Sequence, residues 1–141
     1  MNSLQEAQNE ANKCLNCKVP MCQKGCPIST HIPQFIEQIK NANLEEAYKI
    51  LQENNIMSDI CSNVCPYEEC CVGNCIKGIK GEPIQVNKLE KYVNNWAREN
   101  NVIYVNDKKE PNNVKIAIVG SGPAGIECAV ELSKKGYEVT I

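Results

Sequence analysis

Four cysteines, the last followed directly by a proline, fall within fourteen residues in "CLNCKVPMCQKGCP", Cys14 to Pro27. No other feature restricts the fold of this chain so sharply. Read as a spacing it is C-x2-C-x4-C-x3-C-P, and it is answered downstream by "CSNVCPYEECCVGNC", Cys61 to Cys75. Of the ten cysteines in 141 residues, only Cys128 lies outside these two clusters. Side chains so placed must be tied together, by disulfides or by metal, and the loops carrying them must close around whatever they hold.

The rest of the composition narrows the choice. The amino terminus, "MNSLQEAQNEANKCL", has no apolar run after a basic start, and no stretch approaches the length of a membrane span, so the expected location is the cytoplasm. There thiols stay reduced, and dense cysteines bind metal more often than they pair. The net charge of −2 and the scattered lysines offer no basic surface, so nucleic acid and anionic lipid are not expected partners. One Phe and one Trp give the first hundred residues little aromatic core material, a shortage that metal ligation can offset.

Up to about residue 100 the pattern is helical with cysteine loops between. Ser3 suits the N-cap of a first helix reaching about Asn12. Ser29 or Thr30 could cap a second, with Ile32, Phe35, Ile36 and Ile39 at helical spacing. Asn43 begins a third, with Leu44, Ala47, Tyr48 and Leu51 on one stripe, and residues 61–82 read as loop. A fourth helix places Val86, Leu89, Val93 and Trp96 on one face. The polar run from Asn100 to Asn113 reads as a linker. After it "VKIAIV" suits a buried parallel strand, "GSGPAG" a tight turn, and "YEVTI" a second strand after a helix ending near Lys135 and Gly136. The expected domains are 1–110, helical, and 111–141, a β-α-β unit whose second strand is the last element of the sequence.

A bacterial ferredoxin run, C-x2-C-x2-C-x3-C-P, sends its fourth cysteine to the other cluster of a pair. The first stretch keeps that grammar with two extra residues in its middle gap. By that logic Cys14, Cys17 and Cys22 serve one cubane, while Cys26, whose backbone is restricted by Pro27, turns to a second. Two cubanes need eight ligands and the region supplies nine cysteines, which by counting leaves eight thiolates and one spare. Zinc is the competing metal, since Cys14 and Cys17 alone would fit it, but interleaved tetrads with Cys-Pro pairs suit it poorly. A disulfide framework is the other alternative.

Gly120, Ser121, Gly122, Pro123, Ala124 and Gly125 follow a strand and open a helix, the setting in which G-x-G-x-x-G binds a dinucleotide. Gly120 permits the turn, Gly122 the approach of a pyrophosphate and Gly125 close helix–strand packing, while Pro123 suits a first helical turn. The ribose-binding acid belongs about 20 residues further on, where the sequence stops at Ile141. Glu138 stands too early, so tight dinucleotide binding by these residues alone is not expected. Cys128 reads as a small buried apolar residue, and His31 as a surface residue at a helix start.

Taken together, "CLNCKVPMCQKGCP", "CSNVCP…CCVGNC", "IQVNKLEKYV" and "VKIAIVGSGPAG" resemble, in order, the NADPH-dependent glutamate synthase small (beta) subunit family. The amino-terminal region of dihydropyrimidine dehydrogenase and bifurcating ferredoxin–NADP oxidoreductase subunits are similar. The resemblance implies a mainly α fold, a helical domain with two [4Fe-4S] clusters followed by the truncated start of a Rossmann-like FAD-binding domain. It implies that Cys14, Cys17, Cys22 and Cys75 hold one cluster. Cys26, Cys65 and Cys71 would hold the other, with Glu90 as an oxygen ligand, leaving Cys61 and Cys70 as non-ligands. The alternative for Glu90 is a solvated surface residue. The implied activity is that of an NADPH-dependent oxidoreductase, in which hydride passes from NADPH to FAD and single electrons pass on through the clusters. Its partners would be the remaining FAD and NADPH domains and a large catalytic subunit or other redox partner. No catalytic acid, base or nucleophile is visible, and these residues alone are not expected to be catalytically active. A metal-stabilised module that docks a large subunit without carrying electrons is the competing function.

Overall fold

The computed structural model describes residues 1–104 and 109–141. The chain divides into two compact units, Met1–Tyr104 and Val105–Ile141. Part of the expected linker, residues 105–108, lies outside the described residues.

The first unit is helical: α1 (Leu4–Ala11), α2 (Met21–Lys24), α3 (Ile32–Lys40), α4 (Leu44–Asn54), α5 (Ser58–Val64), a 3₁₀ turn (Ile76–Ile79) and α6 (Val86–Glu99). Ser3 caps α1, its Oγ accepting the Glu6 N–H at 3.2 Å, and Asn43 caps α4 through the Glu46 N–H. The start of α3 differs from expectation. His31, not Ser29 or Thr30, holds the N-cap position and makes no side-chain capping bond, while Pro33 stands in the first turn, where its missing N–H costs nothing. Ser29 takes a left-handed conformation, φ 53°, that turns the chain into that helix.

The apolar stripes read from the sequence meet in one core. Phe35 and Ile39 of α3, Ala47 of α4, and Leu89 and Val93 of α6 are fully buried, with Ala7 and Ala11 small enough to let α1 lie close. Cys14, Cys22, Cys26, Cys71 and Cys75 pack against this core. The segment expected as loop over 61–82 is partly helical, since α5 contains Cys61 and the 3₁₀ turn follows Cys75. Short helices of this kind carry too few apolar positions to show a period. The Arg98–Asp59 pair, 3.2 Å, and the Ser58 and Asn94 contacts described below hold α5 against α6.

The second unit is β1 (Lys115–Ala117), α7 (Pro123–Lys134) and β2 (Glu138–Thr140), with β1 and β2 parallel and Lys115 opposite Glu138. Gly120 has φ +107°, and a Cβ on Gly125 would lie 2.1 Å from the Gly120 carbonyl oxygen, so the turn admits only glycine at both positions. The buried strand expected from "VKIAIV" is not seen. Lys115 and Ala117 are exposed, as are Val114 and Val119, because two strands with one helix cover little surface. Cys128 is exposed rather than buried. Ala129 takes the inward position on α7, and the neighbouring residue of a helix points about 100° away from it.

Candidate metal centres

All nine clustered cysteines line two cavities in the first unit. The first is bordered by Cys14, Cys17, Cys22 and Cys75 with an apolar wall that includes Pro20, Met21, Ile36 and Ile84. Cys14 follows α1, its N–H bonded to Ala11 O at 2.9 Å, and Lys40 Nζ donates to the Cys14 carbonyl at 3.2 Å. Asn16, at φ 48°, turns the chain between Cys14 and Cys17. Cys22 stands on α2, and Cys75, just before the 3₁₀ turn, accepts the Ile84 N–H at its sulfur, 3.5 Å. The volume is only about 20 Å³, so it is the donor set that marks this site.

The second cavity, about 200 Å³, is bordered by Cys26, Cys61, Cys65, Cys70, Cys71 and Glu90. Cys65 ends α5 in an extended conformation, φ −66° and ψ 137°, imposed by Pro66. Cys26 Sγ donates to Thr30 Oγ1 at 3.4 Å, and Asn55 Nδ2 donates to Cys61 Sγ at 3.3 Å. Ile32 and Val86 line both cavities and are almost fully buried, so the two are neighbours across an apolar wall.

Burial pushes the Cys22 thiol up to about 11, with Cys14, Cys75 and Cys17 adding to the shift. Burial likewise pushes Cys71 up to about 12, helped by Cys26 and Glu90, and Cys65 up to about 11, helped by Cys70 and Cys61. Packed thiols oppose one another's ionisation, so these are protonated at neutral pH without a cation and ligation must displace their protons. Glu90 is half-buried, not a solvated surface residue, and burial raises its pKa against the lowering effect of a hydrogen bond from Ser58. Four thiols around one cavity, and five thiols with a carboxylate around the other, suit thiophilic iron–sulfur clusters.

Sequence reasoning missed Ser58, Asn94 and Asn55. Ser58 carries no motif. Asn94 lies four residues after Glu90 on α6 and so shares its face, which is the one signal that could have identified it. In the second unit Gly120 to Ala124 are all exposed, with Gly122 the N-cap of α7 and Pro123 and Ala124 its first two residues.

A family described as dihydropyrimidine dehydrogenase domain II, 4Fe-4S cluster, matches residues 1–102. The glutamate synthase [NADPH] small chain of Azospirillum brasilense is 35% identical over 138 residues, covering 97% of this chain and 29% of that protein. The NAD-dependent dihydropyrimidine dehydrogenase subunit PreT of Escherichia coli K12 is 35% identical over 136 residues, covering 96% of this chain and 32% of that protein. The putative oxidoreductase AegA of the same strain is 32% identical, over 96% of this chain and 21% of its own length. This chain thus spans about a third or less of the relatives it matches. No described helix is long and apolar enough to cross a membrane. The match over residues 1–102 takes in both thiol-lined cavities, and the chain belongs to the dihydropyrimidine dehydrogenase domain II 4Fe-4S family.

Proposed function

We propose that the first unit is an electron-relay domain holding two [4Fe-4S] clusters, within an NADPH-dependent flavin oxidoreductase of the glutamate synthase small-subunit type. The observation that carries this reading is the division of the thiols between two neighbouring cavities. Cys14, Cys17, Cys22 and Cys75 would hold one cluster, and Cys26, Cys65, Cys71 and Glu90 the other. Such clusters supply one-electron transfer at potentials tuned by ligands, hydrogen bonds and exposure.

The protein's own part is to hold donors in place and keep water out. Short loops anchored on α1, α2 and α5 fix the thiols, and the Ile32–Val86 wall keeps polar groups from between the two sites. A carboxylate in place of a thiolate makes the second site harder and more acid-labile. The second unit, with its glycine turn at 120–125, would begin the FAD-binding domain that exchanges electrons with the clusters, and a large subunit or other redox partner would complete the relay.

Single thiol replacements in anaerobically loaded protein test the assignment. Cys17→Ser should abolish one EPR-active centre and Cys71→Ser a different one, each leaving the other reducible. A colourless, zinc-loaded protein that binds a partner but takes up no electrons would refute the relay.

A further inference from the structure

The Glu90 carboxylate stands at the end of a hydrogen-bond chain whose direction is fixed from its other end. The Glu90 carbonyl oxygen can only accept, and Asn94 Nδ2 lies 3.1 Å from it. The amide nitrogen of Asn94 must therefore face that side. The same nitrogen lies 2.9 Å from Ser58 Oγ and donates to it. Ser58 has one proton, and it goes to Glu90 Oε1 at 2.7 Å.

Water does not compete here, because Ser58 is fully buried and Asn94 is 3% exposed. The orientation leaves Asn94 Oδ1 buried without a partner, so both N–H groups are directed inward at the expense of the acceptor. Helix capping does not explain Ser58 either, since Met57 is the N-cap of α5 and Ser58 follows it. Among the described residues the carboxylate accepts one hydrogen bond, at Oε1.

We propose that Ser58 and Asn94 are positioning residues that hold Glu90 Oε1 and thereby present the carboxylate's other oxygen to iron at the second site. This rests on the reading of Glu90 as a ligand. Partners of this kind orient a ligand and tune its donor strength. A hydrogen bond to the carboxylate draws charge from it, so its removal leaves a stronger but unanchored donor, and the potential of that cluster falls.

The test compares Ser58→Ala, Ser58→Thr, Asn94→Asp and Glu90→Ala in the anaerobically loaded chain, by potentiometric EPR and by iron release to a chelator. Asn94→Asp keeps the shape but turns an acceptor toward Ser58, drawing the hydroxyl proton away from Glu90. Ser58→Ala and Asn94→Asp should lower the midpoint potential of one cluster only and speed its iron loss about 10- to 100-fold. Ser58→Thr should restore both. The positioning role is overturned if Glu90→Ala alters that cluster while Ser58→Ala and Asn94→Asp leave its potential and iron release unchanged. If Glu90→Ala alters neither cluster, the ligand reading falls and the positioning role with it. Because Asn94→Asp adds a negative charge that lowers the potential by itself, its iron release decides the matter if Ser58→Ala does not fold.

Discussion

Glu10, near the end of α1, accepts a hydrogen bond at 2.9 Å from the backbone N–H of Gln85, the residue that opens α6. Cys14 follows the first of these helices and Glu90 stands on the second, so one carboxylate braces the approaches to both cavities. Burial alone would raise the Glu10 pKa, but hydrogen bonds from Lys13 and Gln85 outweigh it and hold it below the ordinary value of 4.5. A depressed carboxyl stabilises the fold fully above its unfolded pKa, and that contribution is lost as pH falls through the lower folded value. Glu10→Gln should therefore be less stable than the parent at pH 7, and the difference should shrink below about pH 4.5. Chemical denaturation of both proteins across that range measures it.

Gly73 lies between Cys71 and Cys75, and a Cβ there would sit 1.9 Å from the Glu68 carbonyl oxygen. Backbone cannot yield as a flexible side chain does. Gly73→Ala should displace the 66–75 loop, lowering iron content at both sites because Cys71 borders one cavity and Cys75 the other. Iron analysis and far-UV circular dichroism should show metal loss with the helices retained.

The fold was legible wherever burial imposed a period. The stripes on α3, α4 and α6 meet as the sequence implied, because Ile36, Leu51 and Leu89 each recur at a helical interval with polar residues opposite. Neither α5 nor the bond from Ser58 to Glu90 was legible. In the seven residues of α5 the apolar pair at helical spacing, Ile60 and Val64, is exposed and marks no buried face, and a serine–glutamate contact 32 positions apart depends on how two helices cross. Cys128 was misread because an apolar-looking helix was assigned a buried face of the wrong phase.

Iron removal should separate the molecule into a stable and an unstable part. Phe35, Ile39, Leu51 and Val93 are buried among the apolar residues of α3, α4 and α6, whereas the cysteines of the loops around Cys14–Cys26 and Cys65–Cys75 line the cavities. Amide exchange after chelation should lose protection in those loops and keep part of it in α3, α4 and α6. Unchanged protection in the loops would show that they are held by packing alone.

The cysteines lining the second cavity are expected to be unequal although all five face it. Cys61→Ser and Cys70→Ser should leave both centres intact, while Cys26→Ser, Cys65→Ser and Cys71→Ser should each remove the same one. Low-temperature EPR of the reduced variants reads this directly. Loss of a centre in Cys61→Ser, with Glu90→Ala unaffected, would favour an all-thiolate site.

Iron and acid-labile sulfide, counted together with a Mössbauer spectrum of anaerobically prepared protein, test the two-cluster assignment most directly. Two cubanes require about eight iron and eight sulfide per chain, in two spectrally distinct [4Fe-4S] environments. About four iron in a single environment, or zinc without sulfide, would contradict it.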